Sequence, residues 1–118
     1  MKTKPMSPSA HGIADYAFGL ASLTVPALLG ANKNTTRLYQ AIGVEVLLYG
    51  ALTDYRFALK RLLPLHMHRN IDVLNLAGIA LLSACEQIKS DKRIFRFNLA
   101  LLSVGLVSVL LTDWSNKR

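Results

Sequence analysis

The stretch YAFGLASLTVPALLGA, Tyr16–Ala31, decides how this chain is read. A helix on the surface of a soluble protein shows a polar stripe every three or four residues. This stretch has no such stripe, and LALLSVGLVSVLLT, Leu99–Thr112, interrupts its apolar run with little more than serines. Helices that are apolar on every side belong in a bilayer or deep inside a large core. A chain of 118 residues has no core large enough to bury several of them.

The charges extend that reading. The chain is 52% hydrophobic and carries a net charge of +7, with a mean hydropathy of +0.31. All 14 Lys and Arg lie outside the windows 5–32, 38–55, 70–88 and 97–116. Each window approaches or exceeds the roughly 17–25 residues that a membrane-crossing helix needs. The expectation is therefore an all-α fold, a bundle of four transmembrane helices near 8–30, 36–58, 64–87 and 91–114. It would be a multi-pass protein of the inner (plasma) membrane. Eight cations on the side of the termini against six on the other side point to cytoplasmic termini.

The bilayer is then the first partner, with a membrane protein or a second copy of the chain as further candidates. Basic loops would meet anionic headgroups. Nucleic acid is not expected, because the cations fall on both sides and form no single stripe. MKTK before an apolar run imitates a signal peptide, but Asp15 would interrupt its apolar region. The single Cys85 excludes an internal disulfide framework and is expected to pack within the third helix.

Local signals place the helix ends. Ser7 and Pro8 suit a helix start, and Gly30 and Asn32 a stop. Pro64 can open the third helix, and Pro26 should kink the first. Tyr16, Tyr39, Tyr55, Phe95, Phe97 and Trp114 stand near helix ends, as an interfacial belt would. The two halves also resemble each other. HGIAD (His11–Asp15) is matched by HRNID (His68–Asp72), and LTDY (Leu52–Tyr55) by LTDW (Leu111–Trp114). The chain reads as two similar helical hairpins, 8–58 and 64–115.

Antiparallel neighbours bring the polar residues to one end. Residues i and i+4 share a helix face, so His11 with Asp15 and His68 with Asp72 can converge. Two histidines and two carboxylates suit a divalent, zinc-like ion, with Asp54 and Asp113 orienting the imidazoles. The alternative is a structural ion-pair network that ties the helix ends together, with His66, Arg56, Arg61 and Arg69 as partners of Asp54 and Asp113. Glu45, in the middle of the second helix, is a separate candidate, because an ionisable group at membrane depth is costly. Haem or quinone chemistry at His11 and His68 is a weaker alternative.

No phosphate loop, nucleophile elbow, Cys-x-x-Cys or dinucleotide fingerprint is present. The first functional reading is thus a binding or accessory membrane component. The second is a metal-dependent transporter or membrane enzyme using His11, Asp15, His68 and Asp72.

HGIADYAFGL…VPALLG (His11–Gly30), YGALTDYRFALKRLLPLHMHRNID (Tyr49–Asp72) and the closing LLTDW together resemble the small four-helix bacterial membrane proteins of the SPW-repeat type. The Ser-Pro-Trp signature itself is not intact: Ser83 and Pro26 are what remains of it in the two halves. The resemblance implies an integral membrane protein built from a repeated hairpin, and it implies no activity and no catalytic residue.

Overall fold

The computed structural model describes residues 4–115. Among these the chain forms α1 (Pro8–Leu28), α2 (Lys33–Ala51), α3 (Leu65–Leu82), a single turn α4 (Glu86–Lys89) and α5 (Lys92–Leu111), with no strand. Capping explains the starts. The Ser7 hydroxyl accepts from the backbone N–H of Ala10, and Asn32 accepts from that of Thr35. Each satisfies one of the donors that a helix start leaves without an intrahelical partner. Gly30 ends the first hairpin's helix with φ 78°, a conformation a side chain would resist. Pro64 is the N-cap of α3.

Four spans are not what the chain forms. Among the described residues only α5 is long and apolar enough to cross a membrane. The missing Lys and Arg misled, because absence of cations is not apolarity. The cation-free windows still hold His11, Asp15, Tyr39, Gln40, Glu45, Asp54, Asn70, Asp72 and Asn75. The third helix also breaks. It stops at Leu82, and Cys85, expected inside it, is the exposed N-cap of α4.

Two other helices end earlier than their apolar runs. α2 stops at Ala51 and not near residue 58, because the chain turns to pair with the segment before α3. Asp54 donates its backbone N–H to Leu63, and Leu63 donates to Leu52. α5 stops at Leu111 for the matching reason. Met6 donates to Leu111, and Asp113 donates to Met6.

α1 packs on α2 and α5, and α3 packs on α5. Gly19 and Gly43 let α1 and α2 approach: a Cβ at Gly43 would stand 2.6 Å from the Gly19 carbonyl oxygen. The core holds Phe18, Val46, Ile79, Ile88, Ile94 and Leu101, together with Tyr39, which is fully buried. The tyrosine hydroxyl donates to Asn98 at 2.7 Å, and the Asn98 amide donates to the Ile79 carbonyl at 3.0 Å. Tyr39 and Tyr55 are thus interior residues and not members of an exposed belt. The outer faces remain strongly apolar, with Leu28, Leu74, Leu81 and Leu110 all exposed.

Candidate functional site

His11 and Asp15 stand one turn apart in α1, and His68 and Asp72 one turn apart in α3. All four are buried. The helices bring them face to face, so that Nε2 and Oδ2 atoms alternate around a ring. His11 Nε2 lies 2.8 Å from Asp72 Oδ2 and 3.1 Å from Asp15 Oδ2. His68 Nε2 lies 2.7 Å from Asp15 Oδ2 and 3.3 Å from Asp72 Oδ2. The four expected residues are therefore brought together, and as a group they could hold a metal ion.

The far side of each imidazole is fixed in the same way. Thr112 donates its hydroxyl to the Ser108 carbonyl, one turn back in α5. Its lone pair then accepts from His11 Nδ1 at 2.8 Å. Thr53 donates to the Tyr49 carbonyl at 2.6 Å and accepts from His68 Nδ1 at 2.6 Å. Each threonine has a single proton, already committed, so each Nδ1 must carry the hydrogen. Both Nε2 atoms then face carboxylates, and something positive must sit between them.

Protons can meet that need. Burial disfavours the charged imidazolium, but hydrogen bonds to Asp15 and Asp72 outweigh it and push His11 up to about 10. His68 is raised for the same reasons. Burial would raise Asp72, but hydrogen bonds from His11, His68 and Tyr49 hold it down at about 2. Two imidazolium ions against two carboxylates would leave the ring neutral, as a buried cluster requires. Trp114 covers it, with its ring edge-on to His11 at 4.7 Å.

A chain of polar contacts leads out of the ring. Tyr49 donates to Asp72 Oδ1 at 2.5 Å. The Asn75 side chain lies 3.1 Å from the Tyr49 hydroxyl and, with its amide turned, donates to Glu45 at 2.9 Å. Glu45 is raised by burial, with the contact to Asn75 acting the other way. A cavity of about 20 Å³, enough for one water, separates His11, Asp15 and Asp72 from Asn75 and Gly105.

The remaining expected residues stand outside the ring. The groups that orient the histidines are Thr53 and Thr112, each one residue before the expected Asp54 and Asp113. Asp113 accepts from the backbone and hydroxyl of Ser115. Asp54, Arg61 and His66 line an open cleft on the far side of Trp114. Arg56 lies over the Phe57 ring, and Arg69 is exposed. The two LTD motifs held the signal for the threonines, because Thr at a helix end bonds readily to the carbonyl one turn back. Asn75 and its link to Tyr49 had no local signal.

No protein-family model, curated protein or solved structure matches the chain.

Proposed function

We propose that the chain is a membrane-associated binding or accessory component whose His11–Asp15–His68–Asp72 ring is a proton-closed lock between α1 and α3. The observation that carries the lock is the spacing within the ring. Contacts of 2.7–3.3 Å are hydrogen-bond lengths. Ligands held at about 2.0–2.2 Å around a tetrahedral ion would lie roughly 3.3–3.6 Å apart, wider than three of the four contacts and equal to the fourth, His68 to Asp72 at 3.3 Å. Membrane association rests on α5, which is long and apolar enough to cross a bilayer, and on the many exposed leucines. Contiguous apolar surface of this kind serves lipid or a protein partner. The matching threonine–histidine bonds support descent of both halves from one hairpin, in keeping with the SPW-repeat resemblance.

A second reading is favoured by one observation. Both histidines donate Nδ1–H to a threonine, and a ligating imidazole commonly has its other nitrogen held in this way. One divalent ion would replace the two Nε2 protons and keep the ring neutral. Elemental analysis of the purified protein separates the readings. The lock predicts no stoichiometric metal and a loss of thermal stability in the His11→Ala/His68→Ala double variant. One zinc-like ion per chain, lost in that variant, would overturn it.

A further inference from the structure

α2 and α3 make little backbone contact, and between them runs a groove of about 470 Å³. A second hollow of about 220 Å³ shares Leu74 and Asn75 with it and extends it along the helices. The volume lies within the roughly 300–1,000 Å³ typical of small-molecule sites. The walls are aliphatic: Leu48, Leu52, Leu62, Leu63, Ile71 and Leu74. Glu45 and Asn75 supply the polar end, beside Tyr49.

The corresponding seam between α1 and α5 is filled. There Leu76 of α3 and Phe18 both reach Gly105, where a Cβ would meet the Leu76 side chain at 2.5 Å and the Phe18 ring at 3.6 Å. Where one seam carries a phenyl ring, the other carries an amide and a carboxylate over open apolar space. Among the described residues, no Lys, Arg or His pairs with Glu45. In a chain of net charge +7, this exposed carboxylate at the edge of the apolar groove has no cationic partner among the described residues.

We propose that the α2–α3 groove binds a single-chain amphiphile with a cationic ammonium head, its tail along Leu48, Leu62 and Leu74 and its head on Glu45. Asn75 positions the carboxylate: its amide turned toward Glu45 reaches Oε1 at 2.9 Å and Oε2 at 3.2 Å. The Asn75 oxygen then faces the Tyr49 hydroxyl at 3.1 Å. That hydroxyl has one proton, which can go to Asp72 or to the turned Asn75 oxygen but not to both, so turning the amide toward Glu45 competes with the Tyr49–Asp72 bond. The groove stands independently of whether the ring holds protons or a metal, because neither Glu45 nor the aliphatic wall belongs to it.

The test is calorimetric titration of the full chain in a nonionic detergent, with each probe also titrated into detergent alone. The probes are decylammonium, decanol, decanoate and lysophosphatidylethanolamine. The proposal predicts one decylammonium per chain, bound about tenfold or more tighter than decanol, with decanoate weakest. Lysophosphatidylethanolamine, whose phosphate would lie near Glu45, should bind less tightly than decylammonium. Glu45→Gln should bring decylammonium to the decanol level and leave decanol unchanged. Leu74→Trp should weaken all of them by filling the groove. Equal affinity for decylammonium and decanol in the natural chain would overturn the proposal, even if neither variant folds. So would tighter binding of the lysolipid, or an undiminished affinity in Glu45→Gln.

Discussion

The two histidines sit in matching sockets, but the seams beside them differ. At His11 the seam between α1 and α5 is packed by Phe18 and Leu76 against Gly105, leaving room for about one water. At His68 the seam between α2 and α3 is polar, with Tyr49 bonded to Asp72 and Asn75 beside Glu45. The helix-end chemistry is duplicated and the interior chemistry is not. The shared part, threonine to imidazole to carboxylate, holds the ends of the helices together. The part that differs leaves one side of the molecule open, and an open, polar-ended groove is where a ligand can bind.

The most severe way to break the matched sockets is to remove their protons. His11 has a folded pKa raised to about 10 from an ordinary 6.5. Its contribution is therefore complete below about 6.5 and is lost as pH rises through about 10. Asp72 is lowered to about 2 from 3.8, so its contribution is complete above about 4 and is lost as pH falls through 2. Thermal unfolding against pH should show a plateau between about 4 and 6.5, with a decline on both sides. A protein that stabilises from pH 7 to 10 would refute the ring of imidazolium ions.

Asp72→Ala comes next. It strands two buried histidines and Tyr49, and breaking a buried pair costs about 3–5 kcal/mol. Denaturant unfolding should show Asp15→Ala to be less damaging, since Asp72 alone also bonds Tyr49. Equal losses would mean that the polar seam adds nothing.

Tyr49→Phe removes a hydrogen bond to a carboxylate and should cost about 1.5–3 kcal/mol. At the corresponding place in α5, Ser108 contributes its backbone carbonyl to the ring's surroundings. Ser108→Ala keeps that carbonyl in place and should cost less than Tyr49→Phe, below about 1.5 kcal/mol. The contrast between these two variants isolates the seam from the sockets. Thr53→Val and Thr112→Val sharpen the other half of the comparison. Thr53→Val leaves the His68 Nδ1–H without its acceptor, for about 1–3 kcal/mol, and Thr112→Val should cost less, because His11 Nδ1 also lies 3.2 Å from the Ser108 carbonyl.

Much of the site was legible in the residues. Histidine and aspartate four apart is a local property of a helix, and it survives any error in helix ends. The capping signals at Ser7, Asn32 and Gly30 are equally local. The ends of α2 and α5 were not legible, because Leu52 and Leu111 leave their helices to make backbone bonds with distant segments. That displacement is why the threonines, and not the following aspartates, meet the imidazoles. The count of spans failed for a different reason: windows free of Lys and Arg still contained His, Asp, Asn, Gln and Glu. Tyr49, Asn75 and Glu45 meet only once α2 and α3 are placed side by side, and no spacing along the chain records that.

The central claim is that protons close the ring. It is tested most directly by nitrogen NMR of the His11 and His68 imidazoles at pH 7, assigned with single His→Gln variants. The account predicts that both rings carry hydrogen on Nδ1 and Nε2. An unprotonated or metal-shifted Nε2 on either ring would contradict it.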